Sequence, residues 1–430
     1  TSRASSDNPM PPREMGASLG RDEDETTKKE KKKSKGLANV FNVFKGKKKK
    51  SQSSSVEPEA EPKPSPGLDG GLPTVEELKA DLEHGRLEVA RSLLALEREL
   101  QEAATVSGAS DEELVRRQSK VEALYVLLRD QVLAVLRRPL EAAPERLRQA
   151  VAVVAEQERE DQRVAAEPRV SALAPMRPRH WLQLWRRGVA QAAEERLGRP
   201  VAADAEGRTE AERSFLHMGR TMKEDLEAVV ERLTPLFPAE FNVAAAYAES
   251  YHEYFAAQLL AMAQFELCER DTYMLLLWVQ NLYPNDIINS PKLAGQLQGV
   301  QLGSLLPPEQ IRLLEATFLS NEVANVRELM ARALELESQR WAQDVPPQTL
   351  DGHCHSELAV DVIQIVSQGQ AKAESITADL GVQIRQVLLL ELAGFLRSYR
   401  RAFDEFLERN KQLKNFRANV IANINNCLSF

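Results

Sequence analysis

His353, Cys354 and His355 stand side by side after Asp351-Gly352, and imidazole and thiolate are common zinc ligands. Three adjacent residues cannot close a tetrahedron without ligands from elsewhere. Cys268, Cys427 and the remaining histidines are isolated along the chain. No metal is therefore expected, and Cys354 as a nucleophile lacks partners in the same way. Phosphate loops of the GxGxxG or GxxxxGK[ST] form, a G-x-S-x-G elbow and an H-E-x-x-H helix are all absent. Asp and Glu are plentiful but follow the spacing of solvated helix faces, so no catalytic carboxylate pair stands out. The expectation is a protein that is not an enzyme and carries no cofactor.

The chemistry that does stand out is electrostatic. Lys28, Lys29, Lys31, Lys32, Lys33, Lys35, Lys45, Lys47, Lys48, Lys49 and Lys50 crowd one short stretch with a single acid, Glu30, for a local charge of +10. The whole chain is −8, so the remainder carries −18. Between Gly36 and Gly46 the arm turns apolar, with Leu37, Val40, Phe41 and Phe44 at i, i+3, i+4 and i+7, one stripe of a short helix. Two turns would not persist alone in water, but an interface that buries the stripe would support them. Phenylalanines flanked by lysines fit an anionic membrane surface. Each lysine there contributes about 1 kcal/mol and each buried Phe about 1.5–3 kcal/mol, before ordering and mutual repulsion are subtracted. Ser34, Ser51, Ser53, Ser54 and Ser55 adjoin the lysines, so phosphorylation would cancel charge and release the arm. The same run also fits solvated disordered chain, a nuclear localisation signal, a nucleic-acid patch or a calmodulin target.

The totals constrain what carries this arm. The chain has 430 residues, too many for one ordinary core. It is 43% hydrophobic, 6% aromatic and 28% charged, a mixture that favours helices. Three distant cysteines and no glycosylation sequon point to a reducing cytosol. The N-terminal residues do not form a signal peptide, and Met274–Val279, the longest central apolar run, is too short to span a bilayer.

Residues 1–72 read as a disordered arm. Order begins at a capping box, Thr74 to Glu77, followed by an apolar repeat from Val75 to Leu100. A second box, Ser110 to Glu113, opens the repeat Leu114–Leu136, and the two form a helical hairpin of coiled-coil character. Further helices are expected at Pro139–Glu160, His180–Leu197, Thr209–Leu233, Ala239–Cys268, Tyr273–Tyr283 (stopped by Pro284) and Glu309–Trp341. Helix also spans His355–Phe430, softened at Gly369, Gly381 and Gly394, and no strand is expected. The abrupt end at Phe430 suggests a fragment cut inside a continuing rod. The expected units are 1–72, 73–165, 166–284 and 285–430.

The residues carry a resemblance as well. Lys35-Gly-Leu-Ala-Asn-Val-Phe41, the run Lys47–Lys50, Pro73-Thr-Val-Glu-Glu-Leu78 and the block Cys268–Pro291, with its Leu277-Trp-Val-Gln-Asn-Leu-Tyr-Pro284, resemble the exocyst complex component three family across nearly the whole chain. The resemblance implies an all-α fold of elongated consecutive helical bundles of the tethering-complex type. It implies work in the cytoplasm at the plasma-membrane inner leaflet, with exocyst subunits, a Ral-type small GTPase and SNARE proteins as partners. It implies phosphatidylinositol bisphosphate binding by Lys28–Lys50, and a role in membrane protrusions such as tunnelling nanotubes. A nuclear or nucleic-acid-binding adaptor using the same lysines is the alternative, and no nucleic acid is expected on the first reading.

Overall fold

A computed structural model describes residues 73–106, 110–167, 173–202 and 207–430. The arm Lys28–Lys50, where the sequence locates lipid binding, lies outside the described residues. The described residues divide into twelve α-helices, short 3-10 and π turns, and one small hairpin.

The first helix, α1 (Val75–Glu83), starts where the sequence says it should. Thr74 Oγ accepts the Glu77 N–H at 3.3 Å, and the Thr74 N–H donates to Glu77 Oε2 at 2.8 Å. The apolar repeat then breaks. Gly85 at φ +76° turns the chain, and α2 (Ala90–Ala103) follows a 3-10 turn, so Val75–Leu100 is two helices and not one. Both lie against α3 (Asp111–Arg137). The box at the start of α3 is half formed: Ser110 Oγ accepts the Glu113 N–H. The next helix, α4, begins at Pro144 and ends at Ala166, not Pro139 to Glu160, because Pro144 occupies the first turn, where its missing N–H costs nothing. With α5 (Trp181–Leu197) these helices enclose a core of Leu82, Leu93, Leu128, Val132, Val154 and Trp185.

From α5 the chain continues through α6 (Glu210–Ala228), a π turn at 229–233 and α7 (Val243–Ala263). The expected single rod from Ala239 to Cys268 is shorter. Asn242 is left-handed at φ +45°, so the 21 residues of α7 span about 32 Å. The helix α8 (Glu269–Leu277) then passes into an eleven-residue π segment, Trp278–Ile288, that runs through Pro284. Proline terminates an α-helix by clashing with the carbonyl four residues back; a wider π turn displaces that carbonyl. The expected stop at Pro284 is therefore absent.

The last group is α9 (Pro308–Ala342), α10 (Leu358–Ile376), α11 (Ala378–Arg409) and α12 (Phe416–Ser429). The first three pack on one another, and α12 packs on α10. Breaks fall at Thr377, whose hydroxyl caps α11, and at residues 410–415, not at the glycines. Gly369 and Gly381 allow close packing: a Cβ on Gly369 would lie 2.9 Å from Val326 Cγ2, and one on Gly381 2.2 Å from Glu374 Cγ. Strands β1 (Gln348–Leu350) and β2 (His353–His355) pair antiparallel around Asp351-Gly352, both at positive φ, against the expectation of no strand. No helix among the described residues is long and apolar enough to cross a membrane.

Candidate functional site

The His-Cys-His triplet is the strand β2, paired so that Gln348 faces His355, Thr349 faces Cys354 and Leu350 faces His353. Successive side chains on a strand point to opposite faces, so Cys354 is directed away from the face that His353 and His355 share. Asn425 Nδ2 donates to the Cys354 carbonyl at 2.8 Å, tying the hairpin to α12. Among the described residues no three His, Cys, Asp or Glu side chains are placed to share a metal ion.

The most elaborate polar constellation surrounds Arg177, in the proline-rich loop before α5. Its side chain is 1% exposed, as is that of Glu97 on α2. The guanidinium grips Glu97 with two bonds, Nε to Oε1 at 2.9 Å and Nη2 to Oε2 at 2.8 Å. Nη1 donates to Asp161 Oδ1 at 2.7 Å and Nη2 to Gln157 Oε1 at 2.7 Å, both on α4. From α3, Tyr125 OH donates to Glu97, and Arg179 lies 3.6 Å from the centre of the Tyr125 ring while pairing with Glu122 at 2.9 Å. Asp161 Oδ2 accepts the Arg179 and His180 N–H groups at 2.7 and 2.9 Å, which fixes the entry to α5. One arginine thus joins three helices and the start of a fourth.

The electrostatics follow from this packing. Burial pushes the Tyr125 phenol up, and the Glu97 carboxylate adds to the shift. Burial works against the Arg177 charge, but the bonds and field of Glu97 raise its pKa well above the ordinary value. Beside it, burial would raise Glu160, yet hydrogen bonds from Arg163 and Arg98 hold its carboxyl down to about 2. A cavity of about 530 Å³ adjoins the cluster, and three of its titratable wall residues, Asp161, Arg163 and Arg177, are committed to these ion pairs. The arrangement is a clamp, not a set of groups poised for proton transfer.

Buried acids recur on other apolar stripes. Asp225 takes both Arg196 bonds, at 2.8 and 2.6 Å, and a third from Tyr251 OH at 2.5 Å. Glu322 receives Lys372 Nζ at 2.5 Å. The π segment is a further junction. Tyr283 OH meets His252 Nδ1 of α7 at 2.5 Å, Gln280 donates to Glu315 of α9 at 2.7 Å, and Asn281 donates to the Ser375 carbonyl of α10 at 2.7 Å. Burial lowers the pKa of His252, favouring the neutral ring.

None of Arg177, Asp225 or the π junction was singled out by residue type. The overlooked signal is an acid on an apolar stripe: Glu97 between Leu93 and Leu100, Asp225 between Met222 and Val229, Glu322 between Phe318 and Val326. The predicted site residues Leu37, Val40, Phe41, Phe44 and the eleven lysines all precede residue 73.

Residues 118–430 match the family described as exocyst complex component Sec6. Across its whole length the chain is 75% identical to human tumor necrosis factor alpha-induced protein 2 and 68% identical to the mouse protein, spanning 66% and 62% of their lengths. It is 25% identical over 329 residues to exocyst complex component 3 of Drosophila melanogaster, which covers 74% of this chain and 44% of that one. The crystal structure of M-Sec superposes with a TM-score of 0.78 at 70% identity, over 84% of this chain and 62% of that one. The chain spans less than two thirds of the mammalian relatives it matches over its full length.

Proposed function

The chain belongs to the exocyst complex component Sec6 family, and from that premise we propose that it is a non-enzymatic scaffold recruited to the plasma-membrane inner leaflet. The observation that carries this reading is the charge asymmetry: an arm of +10 bearing the Leu37, Val40, Phe41 and Phe44 stripe, on a chain whose remainder is −18. An anionic bilayer attracts the arm and repels the rest, so contact is confined to the arm and the helices stay free for partners. Phosphatidylinositol bisphosphate is the headgroup proposed, because several phosphate charges on one lipid can each engage a lysine. The residues 73–165, 166–284 and 285–430 act as successive helical units presenting surfaces to other exocyst subunits, to a Ral-type GTPase and to SNARE proteins, in vesicle tethering and nanotube-like protrusion. The ionic clamps support such a role, since they hold helices in fixed register under load.

Vesicle co-sedimentation at physiological salt tests the reading. The intact chain should pellet with phosphatidylcholine vesicles containing phosphatidylinositol bisphosphate, and the form with all eleven lysines of Lys28–Lys50 changed to Gln should remain in the supernatant. Equal pelleting of the two forms would overturn it. A cortical rim of a fluorescent fusion agrees with the proposal, and nuclear accumulation supports the nucleic-acid adaptor instead.

A further inference from the structure

Most of helix α3 is held by a dense apolar face, but its first ten residues are not. Val121, Leu124, Tyr125, Leu128, Val132 and Leu136 are all buried, whereas between Asp111 and Lys120 only Leu114 is. Gln118 Nε2 adds one bond, to the Ala174 carbonyl at 2.9 Å. An end with so few buried contacts opens locally while the rest of the helix stays closed. Ser119 lies in that end and is exposed. Arg116 and Arg117 stand three and two places before it. Among the described residues no other Ser or Thr has a basic residue at both of those places. Arg116 has no ion pair among the described residues, and Arg117 reaches Glu113 only at 3.5 Å, with both side chains of that pair more than half exposed. So weak a surface pair leaves both guanidinium groups open to stronger carboxylate partners.

We propose that Ser119 is a phosphoacceptor for a kinase whose substrate groove holds two arginines on carboxylates, and that the phosphate acts on the loop 173–180. Opening of 111–120 presents Arg116–Lys120 as the extended chain that such a groove takes. The Ser119 Oγ then bonds to the γ-phosphorus of ATP while the bond from that phosphorus to the β–γ bridging oxygen breaks. ADP leaves, and the hydroxyl proton passes to the catalytic aspartate of the kinase. When the helix re-forms, Arg116, Ser119 and Glu122 share a face at three-residue steps. Glu122 and Gln118 tie the loop to α3: the Glu122 oxygens accept Arg179 Nη1 and Nη2 at 3.0 and 2.9 Å, and Gln118 holds Ala174. A phosphate one turn away repels Glu122 and offers Arg179 a second anion, so the tie weakens. The loop carries Arg177, so the modification reaches the buried clamp without touching it. The lipid reading of the arm has no part in this inference.

Incubation of the 430-residue chain with magnesium, ATP and the catalytic subunit of cyclic AMP-dependent protein kinase, an arginine-directed enzyme, tests the site. Tandem mass spectrometry assigns each phosphate. Ser119 should be modified, and Arg116→Gln with Arg117→Gln should slow incorporation there about tenfold, because two charge-assisted pairs with the kinase are lost. Incorporation at the serines beside the lysines should not change. These substitutions, like Ser119→Ala, alter exposed side chains and should keep the helical circular dichroism spectrum. Hydrogen exchange of the unmodified chain should be faster at 114–120 than at 124–136. After kinase treatment, exchange at 174–180 should rise about threefold in the wild type and not in Ser119→Ala treated in the same way. A Ser119 that stays unmodified overturns the proposal, as does incorporation indifferent to the two arginines or equal protection along all of α3. Modification that leaves exchange at 174–180 the same as in Ser119→Ala overturns the effect on the loop.

Discussion

At the scale of single residues, Arg177 has the largest consequence for folding. Its guanidinium is the counter-charge for two carboxylates that water does not reach, Glu97 and Asp161. Removing one partner of a buried pair leaves the others charged and unpaired, which costs about 3–5 kcal/mol. Arg177→Met should therefore lower the urea midpoint by that equivalent. Arg177→Lys should recover little of it, since a single ammonium cannot span the two Glu97 oxygens, Asp161 and Gln157 together. A Met variant as stable as wild type would show that the cluster is ornamental. Glu160 supplies a pH test. Its carboxyl titrates near 2 in the folded chain against the ordinary 4.5, so its contribution is whole above 4.5 and is lost as pH falls toward 2. Glu160→Gln should be less stable at neutral pH and lose stability less steeply across that window, as read from urea midpoints at successive pH values.

Elements obey local rules until packing overrides them, and α10 and α11 show where. The capping box at Thr74, the start of α6 at Thr209, the Trp181/Trp185 helix and the bounds of α9 are legible because caps, prolines and apolar periodicity act within a turn or two. The glycines mislead for a physical reason. Propensity counts Gly369 and Gly381 as weak points, but their missing Cβ atoms are where a neighbouring helix enters, and no periodicity announces that. Gly369→Ala should then destabilise by about 1–3 kcal/mol, against the propensity gain, because Val326 cannot yield in a packed core. Gly188→Ala, with nothing within 4 Å, should stabilise by about 0.5–1 kcal/mol, and thermal melts of the two variants compare them directly. The hairpin was missed although its signal was present: Asp351-Gly352 is a two-residue turn pair, but each strand is three residues long, too short to show alternation. Pro284 misled because the stop rule holds for α and not for π geometry. The ionic clamp was missed because its members, 80 residues apart at the extreme, come together only through helix packing.

Across the whole molecule, the division of charge sets how attachment should respond to its surroundings. Coulombic attraction of the +10 arm is screened over about 8 Å at physiological ionic strength, whereas burial of Phe41 and Phe44 is not screened. Raising salt should weaken vesicle binding steeply at first and then leave a residue that depends on the two phenylalanines. Phe41→Ala with Phe44→Ala should remove that residue without changing the initial slope. The serines beside the lysines provide the opposite control. Asp at Ser34, Ser51, Ser53, Ser54 and Ser55 lowers the charge of the arm and its flank from +10 to +5. At about 1 kcal/mol per charge near an anionic surface, discounted for ordering, the loss should still exceed tenfold in vesicle affinity. A flotation series over salt, with phosphatidylserine and phosphatidylinositol bisphosphate vesicles in parallel, reads both effects. Unchanged affinity in the five-Asp form would mean that lysine charge does not hold the chain to lipid, and the asymmetry between arm and remainder would need another partner to explain it.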